Sequence, residues 1–233
     1  MENKNLTPKN YAIIVGGGSG TRMQSAVPKQ FLLLCGRPVL MYTIEAFNTS
    51  AVKPEIILVL PAAYHAYWKQ LCDEHQFNIP HQLIAGGETR FHSVKNGLDT
   101  IHDETNALIA VHDAVRPLTG THLIENAYQV AAEKGNAVVA VKSRDSVRLM
   151  QNSHSKSLLR DDVYLVQTPQ TFQSAQIKKA YKQQFSAKFT DDASVIEEMG
   201  IKINLAEGDY KNIKITFPED IAIAEMLLKR VHG

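Results

Sequence analysis

The sequence predicts an α/β protein in which a mostly parallel β-sheet is covered by helices on both faces. Short apolar runs alternate with helical patterns along most of the chain, and strands separated by helices pair in parallel through right-handed crossovers. The strand-like runs are apolar throughout, as expected of strands that are buried on both faces. At 233 residues the chain is predicted to form a single domain, residues 1–233.

The first part of the chain sets this alternation. Residues 11–15 form an apolar run that breaks into glycines, which predicts a buried strand followed by a tight turn. A helical pattern opens at Pro38 and continues to Phe47, since proline is tolerated in the first turn of a helix. The pattern then predicts strands over 55–60, 82–85, 107–111 and 136–141, and helices over 64–74, 90–101 and 121–133.

A change of pattern at about 142–160 predicts a protruding β-hairpin arm. Two short strand-like runs, 146–150 and 157–159, flank the polar stretch 151–156. A single subunit would cover the apolar side chains of the arm poorly, so we expect them to contact a second copy of the chain. These side chains are Val147, Leu149, Leu158 and Leu159.

Beyond the arm the alternation returns. The pattern predicts strands over 163–167, 202–206 and 213–216, and helices over 174–184, 191–199 and 218–231.

Composition and charge exclude several classes of partner. There are 25 Lys and Arg residues against 24 Asp and Glu, a formal charge of +1, so no overall basic field would hold nucleic acid or an anionic membrane. No apolar run approaches the roughly 20 residues of a membrane helix. The polar residues 1–10 do not resemble a leader peptide, and the two distant cysteines, Cys35 and Cys72, suit a reducing compartment. We therefore expect a cytoplasmic protein.

The first glycine loop is a candidate phosphate site, because ligands of open parallel sheets bind beyond the carboxyl ends of the strands. Residues 16–23 read Gly-Gly-Gly-Ser-Gly-Thr-Arg-Met. Glycines let backbone N–H groups approach a phosphate, and Arg22 and Lys29 would add two cations. The loop is not a Walker A motif, since no Gly-Lys-Ser/Thr closes it. It also departs from the dinucleotide fingerprint, with Thr21 at the last position.

Asp113 is a candidate metal ligand. It follows the strand 107–111 in the stretch Val-His-Asp-Ala-Val-Arg-Pro. Mg²⁺ takes one or two carboxylates together with phosphate oxygens, so a carboxylate beside a phosphate loop can hold it. A helix cap or an ion pair with Arg116 explains Asp113 equally well on position alone. We interpret His112 as structural, because phosphoryl transfer depends on positioning and charge neutralisation more than on a strong base.

A second glycine turn, over 86–93, reads Gly-Gly-Glu-Thr-Arg-Phe-His-Ser. It is either a plain turn with a solvated Arg90 or a base pocket in which Gly87 offers backbone groups and Ser93 its hydroxyl to a pyrimidine. Composition leaves both interpretations open. Further along, Lys214 interrupts the apolar run 213–215, so it lies at an edge or points into a site.

Together these residues resemble the 2-C-methyl-D-erythritol 4-phosphate cytidylyltransferases of the non-mevalonate isoprenoid pathway. The motifs follow the family's order and spacing from about Ala12 to Leu228. They are Gly-x-Gly-x-Arg-Met with Pro-Lys-Gln-Phe, Gly-Gly-x-x-Arg-x-x-Ser, Val-His-Asp-Ala-Val-Arg-Pro, Gln-Thr-Pro-Gln, Thr-Asp-Asp-Ala-Ser and Asn-Ile-Lys-Ile-Thr-x-Pro-Glu-Asp. The resemblance implies a Rossmann-like nucleotidyltransferase fold and a homodimer built through an exchanged arm. It also implies Mg²⁺-dependent transfer of CMP from CTP to a sugar-alcohol phosphate, with release of pyrophosphate.

The resemblance also implies roles for individual residues. Arg22 and Lys29 would stabilise charge on the α-phosphate and the leaving pyrophosphate, and Asp113 would bind the metal. Arg160 and Lys214 would orient the acceptor phosphate for attack. The cytidine pocket would comprise Gly16, Gly17, Gly18, Gly87, Glu88 and Ser93. The acceptor site would comprise Ser146, Arg160, Thr168, Thr190 and Lys214, of which Ser146 and Arg160 would serve the neighbouring subunit.

Three alternatives accompany this interpretation. Glycines at 16 and 17, where many members of the family have Ala-Ala, also occur in ribitol 5-phosphate cytidylyltransferases, although Thr-Asp-Asp-Ala-Ser at 190–194 favours methylerythritol phosphate as acceptor. A non-catalytic nucleotide-binding protein is a second alternative, because a fold does not fix a function, but it predicts lost catalytic cations. An NAD-dependent oxidoreductase is suggested by the alternating strands and the glycines alone.

Overall fold

The computed structural model describes residues 9–17, 27–102 and 107–229. In chain order its strands are β1 (Asn10–Val15), β2 (Leu33–Leu34), β3 (Arg37–Pro38), β4 (Glu55–Leu60), β5 (Gln82–Ala85), β6 (Leu108–Asp113), β7 (Asn136–Lys142), β8 (Arg148–Gln151), β9 (His154–Ser157), β10 (Tyr164–Gln173) and β11 (Leu205–Glu207). Its helices are α1 (Val39–Thr49), α2 (His65–Glu74), α3 (Arg90–Asp99), α4 (Thr121–Lys134), α5 (Ser174–Ala180), α6 (Asp192–Glu197) and α7 (Glu219–Lys229). None of the helices in these ranges has the length and apolar character needed to cross a membrane.

Seven strands form one sheet in the order β11-β7-β10-β6-β1-β4-β5. β1 pairs in parallel with β4 and β6, β4 with β5, and β7 with β11. β10 runs antiparallel to both of its neighbours, β6 and β7. It follows a hairpin rather than a crossover helix, so nothing forces it into the parallel direction. The predicted α/β class and mostly parallel sheet are confirmed, with one antiparallel strand added.

Helices cover both faces of the sheet, as the uninterrupted apolar strands predict. Along β1, Ile13 packs into a core that includes Val94 and Leu98 of α3. The next residue, Ile14, points to the opposite face and packs with Leu40 and Ile44 of α1. Alternate side chains of a strand point to opposite faces, so both faces must be apolar when both are buried.

The predicted arm is present between β7 and β10. β8 and β9 pair antiparallel around a two-residue turn, Asn152 and Ser153, whose φ angles are +45° and +67°. Two-residue turns with both φ values positive match the twist of a hairpin, and asparagine tolerates that conformation. The turn places β9 a few residues before the predicted run 157–159. Leu149 and Leu159 are exposed, whereas Val147 and Leu158 are half-buried.

The predicted strand over 213–216 is wrong. Ile213 to Thr216 form an extended loop rather than a strand, with one backbone hydrogen bond, from Ile215 N to Val115 O at 2.9 Å, to the segment just after β6. Side-chain bonds fix the loop instead. The amide of Asn212, which is fully buried, donates to Thr168 O at 2.9 Å, and Arg116 Nη1 donates to Asn212 O at 2.6 Å. The apolar pattern arises from Ile215, which is buried without belonging to a sheet.

Candidate active site

The strand order creates a crevice where β1 and β6 lie side by side. From β1 the chain runs outward to β4 and β5, and it then returns to β6 on the other side of β1. In open α/β sheets ligands bind at such a switch point, outside the carboxyl ends of the strands. Val15 and Asp113, the last residues of the two strands, are register partners. The first glycine loop and the candidate metal ligand therefore leave the sheet at the same place.

A cleft of about 180 Å³ opens at this point. Its walls include seven of the predicted site residues, Gly16, Gly17, Lys29, Gly87, Glu88, Asp113 and Lys214, together with Arg90. Larger clefts lie elsewhere, one of about 450 Å³ between α3 and α5. We assign the site to the smaller cleft because the glycine turns and the candidate metal ligand meet there. Gly18 and Arg22 lie outside the described residues.

The backbone at Gly16 is closely packed at the end of β1. A Cβ there would lie 2.6 Å from Leu60 Cδ2 and 3.2 Å from Ala114 Cβ. The backbone is held at the end of the sheet, because Gly16 N donates to Val59 O at 2.9 Å and Gln30 Nε2 donates to Gly16 O at 2.9 Å. The chain thus leaves β1 at a fixed angle. Gly17, which follows, is exposed at the cleft.

The second glycine turn forms the opposite wall of the cleft. A Cβ on Gly87 would lie 2.5 Å from His92 Cβ and 3.0 Å from His92 C, so no larger residue fits without movement. Ser93 is buried, and its hydroxyl accepts from Gly87 N at 3.1 Å and donates to Thr89 O at 3.0 Å. In this structure Ser93 shapes the turn, and Glu88 is exposed beside it.

Lys29 brings a nearly buried cation to the cleft. It lies in a short 3₁₀ turn, Lys29–Phe31, and only 9% of the residue is exposed. Its Nζ donates to Ile215 O at 3.0 Å. The same backbone segment carries Lys214, so one extended loop positions both lysines of the site.

Asp113 is surrounded by three cations. Its Oδ2 lies 2.9 Å from Lys214 Nζ and 3.4 Å from Arg116 Nε, and its Oδ1 lies 3.7 Å from Arg90 Nε. Burial alone would raise the pKa of Asp113, but the three positive charges hold it well below its usual range. The carboxylate is therefore ionised at neutral pH. The alternative that paired it with Arg116 describes one of these contacts.

The residues present fit a divalent cation that is bound largely by its substrate. Within the described ranges, no three His, Cys, Asp or Glu side chains come together as a protein-only metal cage. Asp113 supplies one ionised carboxylate at the mouth of the phosphate cleft. Mg²⁺ is commonly held by one or two carboxylates while phosphates and water complete its shell.

His112 belongs to the core, as the sequence analysis expects. It is fully buried, and its ring packs edge-on against Phe47 at 5.0 Å. Burial lowers the pKa of His112 to about 3, so the ring is neutral and carries no charge into the site.

The predicted acceptor residues divide into two groups. Thr168 lies next to the cleft, where its buried hydroxyl accepts from Asp113 N at 3.1 Å. Thr190 is exposed at the start of α6 and does not line the cleft. Ser146 and Arg160 are exposed on the arm and are also absent from the cleft lining, and Arg160 lies 3.8 Å from Asp161. One subunit therefore does not bring the complete predicted set together.

Sequence reasoning missed two residues of the site, Arg90 and Gln30. The sequence suggests only a solvated Arg90 in a plain turn, with the base pocket as the alternative for that turn, but Arg90 bridges Asp113 and Asp192, with Nη2 donating to Asp192 Oδ2 at 2.7 Å. The available signal was its fixed place in Gly-Gly-x-x-Arg. Gln30 holds the first glycine loop, and its signal was the unusual Pro-Lys-Gln-Phe stretch.

Comparisons with known proteins agree with this geometry. Residues 11–230 match the family profile described as 2-C-methyl-D-erythritol 4-phosphate cytidylyltransferase. An enzyme of that name from Bacteroides thetaiotaomicron is 46% identical over 94% of this chain and 100% of its own length. One from Porphyromonas gingivalis is 43% identical over 96% of this chain and 99% of its own length.

Solved structures show the same fold. A 4-diphosphocytidyl-2C-methyl-D-erythritol synthase from Anaerococcus prevotii superimposes with a TM-score of 0.82 at 29% identity, over 95% of this chain and 96% of its own. A 2-C-methyl-D-erythritol 4-phosphate cytidylyltransferase from Francisella tularensis gives a TM-score of 0.78 at 30% identity, over 94% of this chain and 99% of its own.

Proposed function

This chain belongs to the 2-C-methyl-D-erythritol 4-phosphate cytidylyltransferase family, and from that premise we propose how its residues carry out the reaction. The reaction joins CTP and 2-C-methyl-D-erythritol 4-phosphate to give 4-diphosphocytidyl-2-C-methyl-D-erythritol and pyrophosphate, a step of non-mevalonate isoprenoid biosynthesis. The family profile and the relatives favour 2-C-methyl-D-erythritol 4-phosphate over ribitol 5-phosphate as the acceptor. They also favour a cytidylyltransferase over a non-catalytic nucleotide-binding protein or an oxidoreductase. The observation that supports the proposed roles is the register pair Val15–Asp113, which brings the first glycine loop and the carboxylate to one cleft, where Lys29 and Lys214 also lie.

CTP would lie between the two glycine turns. The backbone at Gly16, Gly17 and Gly18 would face the phosphates, while Gly87 and Glu88 would border the cytosine and ribose, with Ser93 holding their turn. The exposure of Gly17, Gly87 and Glu88 on the walls of the cleft supports this placement.

Asp113 would hold the divalent cation together with the triphosphate, as its ionised carboxylate and position at the cleft support. When bound, Mg²⁺ neutralises charge on the phosphate oxygens. Lys29, with Arg22 from the glycine loop, would stabilise the negative charge that gathers on the α-phosphate and the leaving pyrophosphate.

The transfer would be a direct in-line displacement. An oxygen of the acceptor phosphate forms a bond to the α-phosphorus of CTP, while the bond from that phosphorus to the bridging oxygen breaks and its electron pair leaves with pyrophosphate. Lys214, 2.9 Å from Asp113, would hold the acceptor phosphate at the mouth of the cleft, with Thr168 beside it. Positioning of this kind supplies much of the rate enhancement in phosphoryl transfer.

The arm would complete the site in a homodimer. Ser146 and Arg160 lie away from the cleft of their own subunit, and the arm exposes Leu149, Met150 and Leu159. Crossing to a second copy would bury these side chains and bring Ser146 and Arg160 to the partner's acceptor site, where Thr190 would join them. We also propose that the chain is a single domain and works in the cytoplasm, which the two free cysteines support.

Pyrophosphate release tests this assignment. With CTP and Mg²⁺, we expect release with 2-C-methyl-D-erythritol 4-phosphate and little or none with ribitol 5-phosphate. An Asp113→Asn variant, which keeps the size of the side chain and loses its charge, should require far more Mg²⁺. Release with ribitol 5-phosphate alone would contradict the acceptor, and an unaltered Mg²⁺ requirement in Asp113→Asn would remove Asp113 as the metal ligand.

A further inference from the structure

Asp192 is a fully buried carboxylate for which the proposed reaction has no use. Its side chain is 0% exposed, although burying a charge is costly unless it is paired. Its neighbour Asp191 already caps α6, with Oδ1 accepting from Ser194 N at 2.9 Å. Asp192 is therefore not needed to start the helix, and its role lies with the groups that it binds.

Two side chains from other elements converge on Asp192. Its Oδ2 accepts from Arg90 Nη2 at 2.7 Å, and its Oδ1 accepts from the hydroxyl of Tyr181 at 2.5 Å. Tyr181 also stacks on Phe91, the residue after Arg90, with ring centroids 4.6 Å apart. The first turn of α3 is thus held in place by buried Asp192, which contacts Arg90, and by buried Tyr181, which stacks on Phe91.

Arg90 links this buried anchor to the cleft. Its side chain is 30% exposed, and its Nε lies 3.7 Å from Asp113 Oδ1, beyond hydrogen-bonding distance. Burial by itself lowers the pKa of Arg90, but the two carboxylates outweigh it and hold the pKa above its usual range. The guanidinium therefore stays charged between two carboxylates, the buried Asp192 and Asp113 at the cleft.

The two oxygens of Asp113 differ because of this arrangement. Oδ2 has close contacts with Lys214 at 2.9 Å and Arg116 at 3.4 Å, whereas Oδ1 faces Arg90 at the longer 3.7 Å. An arginine that is free to turn forms a two-point pair with a carboxylate. Because Arg90 Nη2 is hydrogen-bonded to Asp192, the guanidinium does not form a two-point ion pair with Asp113.

We propose that Asp192, with Tyr181, is a positioning residue that holds Arg90 away from Asp113 and so keeps Oδ1 open to a divalent cation. The proposal rests on the proposed role of Asp113 as the metal ligand. Asp192 also contributes a negative charge beside Arg90, which reduces the repulsion that a cation would meet from that guanidinium.

The Asp192→Asn variant tests the proposal, because it keeps the volume of the side chain and an acceptor for Tyr181 while it releases Arg90. We expect the half-saturating Mg²⁺ concentration for pyrophosphate release to rise about 10- to 100-fold, the usual effect of removing a supporting partner of a metal ligand. High Mg²⁺ should restore most of the rate. In calorimetric titrations without acceptor, the gain in CTP affinity that Mg²⁺ brings to the wild type should shrink.

A pair of tyrosine variants provides the matched control. Tyr181→Phe removes one hydrogen bond from Asp192, so the Mg²⁺ requirement should rise, though less than in Asp192→Asn. Tyr128 is equally buried, and its hydroxyl donates to Tyr11 O at 2.5 Å, in the core away from the cleft. Tyr128→Phe should lower Tm by a similar amount and leave the Mg²⁺ requirement unchanged.

The outcomes separate the proposal from its premise. If Asp192→Asn and Tyr181→Phe lower Tm but leave both the Mg²⁺ requirement and the Mg²⁺-dependent gain in CTP affinity at wild-type values, the network is structural and the proposal is overturned. If Asp113→Asn itself keeps the wild-type Mg²⁺ requirement, the metal role of Asp113 is wrong, whatever Asp192 does. If Asp192→Asn does not fold, the comparison of the Mg²⁺ requirements of Tyr181→Phe and Tyr128→Phe tests the proposal by itself.

Discussion

At the scale of single residues, Lys29 combines charge with a fixed position. It is 9% exposed and its Nζ is held by Ile215 O at 3.0 Å, so the cation is in place before substrate binds. A preorganised charge of this kind stabilises the transition state more than the ground state. Lys29→Ala should lower kcat by about 100- to 1,000-fold, with a smaller change in CTP affinity. Steady-state kinetics and calorimetry measure the two quantities, and a large loss of CTP binding with kcat intact would contradict the role.

Lys214 differs from Lys29 because its side chain is 40% exposed and contacts Asp113 Oδ2 at 2.9 Å. An exposed cation at the mouth of the cleft suits the recognition of an incoming phosphate. We expect Lys214→Ala to raise KM for the acceptor by about tenfold or more, the value of one hydrogen bond to a charged group, with KM for CTP changed less. Lys214→Arg, which keeps the charge, should have an acceptor KM between those of the wild type and Lys214→Ala. Unchanged acceptor KM and kcat in Lys214→Ala would remove Lys214 from the site.

Sequence reasoning found the site residues whose meaning is local and missed those whose meaning is not. The glycines, Asp113 and Lys214 are readable because a strand end or an interrupted apolar run marks them. Arg90 and Asp192 are 102 positions apart in the chain, and each is an ordinary charged residue until the fold joins them at 2.7 Å. Long-range pairs of this kind leave no periodic signal.

At the scale of elements, hydropathy predicted strands and helices but not the direction of β10 or the loop at 213–216. Periodicity reports which side chains are buried, and Ile215 is buried. It does not report whether the backbone pairs with a strand or is held by side chains such as Asn212. β10 runs antiparallel to β7 because the arm, and not a crossover helix, connects the two strands. Hydropathy does not report the direction in which a connection returns the chain to the sheet.

The junction of α2 and β5 contains a histidine whose protonation opposes folding. Trp68 Nε1 donates to His81 Nε2 at 2.9 Å, and His81 Nδ1 lies 2.7 Å from Ile79 O, so the ring fits as the neutral form with its proton on Nδ1. Burial lowers the pKa of His81. Below pH of about 6.5, the histidine of the unfolded chain takes up a proton that the folded one resists. Its contribution to stability is therefore present above that pH and is lost as pH falls.

His81→Gln tests this effect, because glutamine does not titrate and offers an acceptor to Trp68. We expect Tm to fall less between pH 7 and pH 5 in the variant than in the wild type. The titration of His81 can lower the unfolding free energy of the wild type by at most about 1.4 kcal/mol per pH unit. Trp68 is the only tryptophan of the chain and is 1% exposed, so its fluorescence follows the junction directly. Equal falls in Tm would show that His81 does not titrate in this range.

At the scale of the whole molecule, the cleft of one subunit gathers seven of the predicted site residues but not Ser146 or Arg160. The cleft gathers Lys29 and Lys214, whereas Arg160 is exposed in a short 3₁₀ turn, Arg160–Asp162, between the arm and β10. The family resemblance predicts a homodimer in which the arm is exchanged, and the exposure of Leu149 and Leu159 supports that proposal. Deleting residues 152–156 should accordingly disturb the proposed dimer, and light scattering that finds the variant and the wild type equally dimeric would exclude the arm tip from the contact.

The proposed exchange of the arm has a consequence that a site within one subunit could not produce. Lys29→Ala and Arg160→Ala should each abolish most activity, because each removes a group from every site of its own homodimer. In a mixed dimer, the Arg160→Ala subunit supplies an intact Lys29 to its own cleft and receives an intact Arg160 from the Lys29→Ala partner. Random exchange makes half of the dimers mixed with one working site each, so about a quarter of wild-type activity should return. Mixing after mild denaturation and refolding measures it, with each variant refolded alone as the control. If activity fails to rise although subunits exchange, Arg160 serves its own subunit or none.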